Sequence, residues 1–356
     1  MKKVIFIIII LLLSSCASQR IQKENSEIPH PIPPVAKKIF TSYTMHGVEL
    51  KDNYAWMIDG TRTDTAVVKY IEAENLYADA ILSEMSALRD TIYNEIINRI
   101  GEEDVNAPTR WGDYYYYSRR EQGKPYLIYC RKFKSVSAPE EIVLDLNKLA
   151  QGHEFFSVGK REYSPDQKLL AYTVDVTGDE RYTLYIKDIE ADTLLSEEIY
   201  PVNDVEWAND NKTIFYVTPS EDNLKSKRAY RRVLGTEAAD DELLYTEQDD
   251  AFYVWFGRTR SDDYIVLGTN SRTTSDVRYL AVDEPMGDFK LFKPRKHGVK
   301  YYATNHDDTW YIRTNESAPN YKLMTSDKND TQKWETFIPH NDSVYIDGYD
   351  VFENYL

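Results

Sequence analysis

Ser164-Pro165-Asp166-Gln167-Lys168-Leu169-Leu170-Ala171-Tyr172-Thr173-Val174 reads as a tight turn that feeds a buried strand. Pro fixes φ and an Asp side chain accepts hydrogen bonds from nearby amides, so the first residues favour a turn. The run that follows is apolar and aromatic, as a strand packed on a core requires. The unit recurs: Gly112-Asp113 precedes Tyr114 to Tyr117, Asn209-Asp210 precedes Thr213 to Val217, Asp262-Asp263 precedes Tyr264 to Leu267, and Asp307-Asp308 precedes Trp310 to Ile312. With Asp113, Asp166, Asp210, Asp262 and Asp308 as markers, the intervals are 53, 44, 52 and 46 residues. Periods of about 40–50 residues that hold several short strands are the signature of propeller blades.

The expected fold class is therefore mainly β, an incomplete β-propeller over 102–356, with a β-sandwich as the competing architecture. At about 50 residues per blade there is room for roughly five blades and the start of another. Tyr349 to Leu356 read as a strand just beginning. A propeller closes its ring to cover edges and inter-blade faces, so the natural gene product is expected to be longer than this chain.

Upstream the period changes. Asp64 stands where a helix cap would, and apolar residues recur at Val68, Ile71, Ala78, Leu82, Met85, Leu88, Ile92, Ile96 and Ile100. This spacing predicts two amphipathic helices, or one long kinked helix, over about 65–100, with Gly101 as a stop. They form an N-terminal helical segment, 41–101. The stripe does not keep strict heptads, so it suits packing on a globular neighbour better than a coiled coil.

Residues 17–40 hold Pro29, Pro31, Pro33 and Pro34 among polar residues and read as a semi-rigid tether. Before them, Lys2 and Lys3, the apolar run Val4 to Leu13, and Ser14 and Ser15 have the order of a secretory signal, 1–16. That run is too short to span a bilayer. It ends in Leu13-Ser14-Ser15-Cys16, which resembles the bacterial lipobox. The resemblance implies cleavage before Cys16, a lipid on its thiol, and a protein anchored in the bacterial cell envelope, on the periplasmic or outer-membrane face.

With Cys16 so used, only Cys130 remains, which excludes an intramolecular disulfide and a Cys-based metal site. The His residues at 30, 46, 153, 297, 306 and 340 have no ligand spacing, and neither metal nor cofactor is expected. A formal charge of −16 argues against nucleic acid, because phosphate binding needs clustered Lys and Arg. Basic peptides stay open as partners. Glu102-Glu103-Asp104 and Asp240-Asp241-Glu242 are the acidic clusters that would attract them, although each also reads as a solvated turn.

Together the residues resemble the prolyl oligopeptidase family of serine peptidases, in its oligopeptidase B branch. The resemblance runs in order from His46-Gly47, Asp52-Asn53-Tyr54, Trp56-Met57 and Asp59 through Gly112 to Tyr117, Gly152-His153-Glu154-Phe155-Phe156 and Ser164-Pro165-Asp166. It continues in Asp249-Asp250-Ala251-Phe252, Thr274-Ser275-Asp276-Val277-Arg278-Tyr279-Leu280 and Pro294-Arg295. It implies a seven-bladed propeller capping an α/β-hydrolase domain, onto which the N-terminal segment packs. It also implies cleavage of short peptides after Arg or Lys, with the propeller as a steric gate.

The family's Ser, Asp and His lie in the hydrolase part, which this chain lacks. No Gly-x-Ser-x-Gly elbow occurs; Ser157 has Gly159 after it but Phe155 before. No catalytic residue is assigned: Ser164 reads as a turn residue repeated between blades, and His46 and His153 as structural hydrogen-bonding groups. The chain is thus expected to be inactive alone. The alternative is a non-catalytic lipoprotein whose propeller binds peptides or acts as a scaffold.

Overall fold

A computed structural model describes residues 31–101, 104–221, 223–352 and 355–356. The chain divides into a unit up to Gly101 and a unit from Glu102 onward. Cys16 and the signal segment lie outside the described residues.

The first unit opens with a hairpin, Thr41–Met45 paired with Val48–Asp52. His46 (φ 52°) and Gly47 (φ 77°) form its turn, and consecutive positive φ values match the right-handed twist of the strands. Helix α1, Thr65–Ser83, starts where Asp64 accepts the Ala66 and Val67 amides at 2.7 and 3.4 Å. Helix α2 covers Ser86–Ile97. The Trp56 indole donates to the Lys37 carbonyl at 2.8 Å and meets the Tyr70 ring edge-on, fixing the segment after the prolines against α1. Within α1 and α2 only Val67 is buried; Val68, Ile71, Leu82, Leu88, Ile92 and Ile96 are exposed.

The second unit is a set of blades, each an antiparallel sheet with strands in chain order. Blade 1 pairs Asp104–Val105 and Thr109–Trp111 with Tyr114–Arg120, followed by Ile128–Phe133 and Glu141–Asp145. Blade 2 is Ser157–Tyr163, Leu169–Asp175, Thr183–Asp188 and Thr193–Ile199. Blade 3 is Asp204–Trp207, Thr213–Pro219, Ser226–Val233 and Glu242–Thr246. Blade 4 is Tyr253–Arg258, Tyr264–Asn270, Ser275–Ala281 and Lys290–Leu291. Blade 5 is Tyr301–His306, Thr309–Thr314, Lys322–Asp327 and Glu335–Ile338.

Four of the Asp markers fall in the hairpin between the first and second strands of a blade, and Asp113 in the blade 1 hairpin between Thr109–Trp111 and Tyr114–Arg120, so the repeated turn lies inside blades and not between them. Only Asp166 and Asp210 behave as the turn chemistry predicts. Asp166 takes the Lys168 amide at 3.1 Å and Asp210 the Thr213 amide at 2.8 Å. What all five turns share is one residue in the left-handed region: Gly112, Gln167, Asn211, Asp262 and Asp307. Gly, Asn and Asp enter that region at little cost, which is why they mark the repeat.

The apolar core lies between blades. One cluster joins Phe215 and Val217 of blade 3 to Phe256 and Leu267 of blade 4; another joins Leu184 and Ile186 of blade 2 to Trp207 and Ile214 of blade 3. Val143 and Leu144 meet Leu170 and Tyr172 across blades 1 and 2, and Val266 meets Trp310 across blades 4 and 5. The expected strand from Tyr349 is not formed among the described residues. That tail has no ladder, and its approach is held where Arg313 Nε donates to the Ile346 carbonyl at 2.7 Å and the Tyr349 hydroxyl to the Tyr311 carbonyl at 2.6 Å.

Candidate functional site

The first strands of successive blades lie against one another, Asp204–Trp207 touching both Ser157–Tyr163 and Tyr253–Arg258. Side chains alternate along a strand, so the blade 2 strand sends Lys160 and Glu162 towards blade 3. Lys160 Nζ sits 3.0 Å from Glu162 and 3.3 Å from Asp204 Oδ1. Asp204 Oδ2 accepts the Phe256 amide of blade 4 at 2.8 Å, and a single carboxylate thereby ties three blades. Burial opposes the Lys160 charge, but Asp204 and Glu162 outweigh it and hold the ammonium above its ordinary value.

Glu206, two residues along, is 6% exposed and accepts the Trp207 amide at 3.0 Å. Burial, helped by the nearby Glu162 charge, pushes its carboxyl up to about 8. Arg258 closes the row, donating to Asn209 Oδ1 at 2.6 Å. Within the row Lys160 and Arg258 match the Glu162 and Asp204 charges, and Glu206 is an acid that keeps its proton near neutral pH. Such a network ties the inner strands together.

A second cluster joins three stretches quoted above for their resemblance. Arg295 Nε donates to Asp276 Oδ2 at 2.6 Å, while its Nη2 donates to Glu247 at 2.6 Å and to Thr269 at 2.7 Å. The guanidinium also lies 3.6 Å from the centre of the Phe252 ring. Against the opposing cost of burial, Arg295 and the Asp249 amide hold the Glu247 carboxyl below its ordinary range. Asp249 to Phe252, Thr274 to Leu280 and Pro294-Arg295 are thus one packed corner of blade 4.

The residues weighed from sequence take other places. Ser164 is fully buried; its hydroxyl donates to Asp166 at 2.6 Å and accepts the Leu169 amide at 2.9 Å, so it braces a hairpin. His46 is a turn residue, and His153 is exposed, with its ring tilted against Phe156. Asp241 is not a solvated charge: buried Arg232 donates to it at 2.6 Å and the Tyr216 hydroxyl at 2.6 Å. Its neighbour Glu242 pairs with Arg231. Asp104 is exposed, whereas Glu102 and Glu103 lie outside the described residues.

Sequence reading missed Lys160, Asp204 and Glu206. The signal was charge alternating with Val205 and Trp207 in a short strand, where water-facing residues are ordinarily expected.

Comparison with known families settles which propeller this is. Residues 33–356 match the prolyl oligopeptidase N-terminal β-propeller domain. The chain belongs to the prolyl oligopeptidase family. Among relatives, it is 34% identical over 342 residues to dipeptidyl aminopeptidase BI of Pseudoxanthomonas mexicana, covering 91% of this chain and 47% of that protein. Protease 2 of Moraxella lacunata is 32% identical over 321 residues, 88% of this chain and 46% of its own.

Oligopeptidase B of Trypanosoma brucei superposes with a TM-score of 0.83 at 28% identity, covering 90% of this chain and 48% of that one. For the Leishmania major enzyme the TM-score is 0.81 at 31% identity, with 87% and 46% covered. The chain spans about half the length of the relatives it matches. Within the prolyl oligopeptidase family it is an oligopeptidase B-like propeller part, and the Arg295 corner accounts for three of its family motifs.

Proposed function

We propose that this chain is the propeller portion of an exported, lipid-anchored serine oligopeptidase that cleaves short peptides after Arg or Lys. The observation that carries the reading is the match of 33–356 to the N-terminal propeller domain of a peptidase family. In the complete enzyme a serine activated by His and Asp attacks the peptide carbonyl, and water then releases the acyl group. The propeller's part is to gate: enclosing the reaction between domains admits short or unfolded peptides and excludes folded proteins. The exposed apolar residues of α1 and α2 suit packing onto a hydrolase domain.

The test is to sequence the locus past codon 356, express the continuing frame, and assay a chromogenic peptide ending in Arg beside a chromogenic dipeptide with a free amino terminus. The second substrate matters because one relative is named an aminopeptidase and the other a protease. Cleavage after Arg that disappears on replacing the elbow serine by Ala is expected. A frame that stops, or cleavage of the dipeptide alone, removes the reading.

A further inference from the structure

Arg161 and Tyr163 of the blade 2 inner strand face the other way from Lys160 and Glu162, towards blade 1. There the Arg161 guanidinium lies 3.9 Å from the centre of the Tyr129 ring, and the Tyr163 ring packs 4.6 Å from that of Tyr116. Between them opens a pocket of about 350 Å³ walled by Tyr116, Tyr117, Tyr129 and Tyr163, with Asn106 and Arg161 at its sides.

Arg161 differs from the other basic residues of these inner strands. Lys160 has Glu162 and Asp204, and Arg258 has Asp262. Arg161 has no carboxylate and no hydrogen-bond acceptor among the described residues; its one contact of note is the face of Tyr129. Stacking of that kind fixes the plane of the guanidinium and leaves its N–H edges free, the arrangement that grips a carboxylate through parallel bonds. The Tyr129 and Tyr163 hydroxyls likewise have no hydrogen-bond partner among the described residues, so the walls offer further donors. In a chain with a formal charge of −16, an unpaired, oriented cation in an open, solvent-reached cleft of tyrosines is built for an anion.

We infer that the Arg161 pocket binds the C-terminal carboxylate of a short peptide, with the last side chain lying against the tyrosines. The inference rests on the peptide-processing reading above. The terminus is the one carboxylate every short peptide carries, and a folded protein seldom presents it with the freedom to enter a cleft between two blades. The pocket thereby ranks peptides by their ends, whereas a gate ranks them by width.

The test titrates the full chain by calorimetry with a tripeptide ending in Tyr, as the free acid and as the C-terminal amide, and with an amide carrying an internal Glu. Cleavage is not read, so this result and the chromogenic assay fail separately. The free acid is expected to bind at least tenfold more tightly than either amide. Arg161→Met should erase that preference with the thermal transition unchanged, and Arg161→Lys should keep part of it. Equal binding of acid and amide, no binding of either, or a preference that survives Arg161→Met overturns the site. Binding of the Glu-bearing amide as tight as the acid overturns the assignment to the chain terminus. If Arg161→Met fails to fold, Tyr163→Phe, which removes one donor at constant shape, must still weaken the acid more than the amide.

Discussion

Trp255 and Gly268 face each other directly in the blade 4 ladder, and the indole lies across the glycine so closely that a Cβ there would stand 2.2 Å from Cε2. The glycine is therefore the seat of the tryptophan. Gly268→Ala forces the ring out of its place and is expected to cost about 1–3 kcal/mol, as overpacking does. The urea midpoint checks it. Adding Trp255→Leu to Gly268→Ala should return part of the loss, since the two effects share one space.

Glu206 gives the inner strands a pH dependence. Its folded value of about 8 lies above the ordinary 4.5, so the folded chain binds more protons than the unfolded chain between those values. Stability from this group is therefore highest in acid and falls as pH rises towards 8, at most about 1.4 kcal/mol per pH unit. Urea midpoints at pH 5 and pH 8 should differ less for Glu206→Gln than for the native chain. Equal differences would assign the slope to other groups.

Glu140 has the opposite sign. Arg119 donates to it through Nε and Nη2, the latter at 2.8 Å, and the Tyr117 hydroxyl donates at 2.5 Å. The Arg119 hydrogen bond leads in holding its carboxyl down to about 2. Its contribution is complete above the ordinary carboxyl range and is lost as pH falls from about 4.5 towards 2. Glu140→Gln should flatten that part of an acid-unfolding curve followed by tyrosine fluorescence.

Arg295 holds two buried carboxylates, with Glu247 and Asp276 side chains 4% and 3% exposed. Arg295→Met strands the Glu247 charge and leaves Asp276 with Arg278 as its one remaining cation, and is expected to cost about 3 kcal/mol. Arg295→Lys should recover only a fraction, because an ammonium cannot reproduce the fork that reaches Asp276, Glu247 and Thr269 together. Chemical unfolding of the three proteins side by side measures this.

Cys130 is 1% exposed, and burial first, then the Glu140 charge, pushes its thiol up to about 12. It should resist a thiol reagent until the chain unfolds. Of the two cysteines in the chain, the lipid proposed for Cys16 would remove the other from the count. The 356-residue chain expressed by itself and isolated from membranes should then yield about one thiol when denatured and almost none when native, whereas a second thiol would show that Cys16 is free.

Much of the propeller was legible because its punctuation is local. A left-handed residue and a polar turn are needed wherever one strand doubles back on the next, and the five markers record that need at near-even spacing. The reason first assigned to them, side-chain capping by Asp, holds in only two turns, since backbone conformation is the stricter demand. The tail from Tyr349 looked like a strand from composition alone, but a strand exists only with a ladder partner. The inner-strand charges were illegible for a related reason. Lys160 and Asp204 stand 44 residues apart, and only the stacking of blades tells which face of each strand meets which neighbour.

The placement of the apolar clusters has a further consequence. Most of the core belongs to seams, so a blade's cohesion depends on how many neighbours it has: blades 2, 3 and 4 share two seams each, blades 1 and 5 one. Such an array behaves like a line of coupled units, in which loosening one end leaves the middle nearly intact. Amide hydrogens in Thr213–Pro219 should exchange most slowly, with protection fading towards both ends of the row. Stretching or proteolysis would then peel the body blade by blade, much as a stack of plates is unstacked.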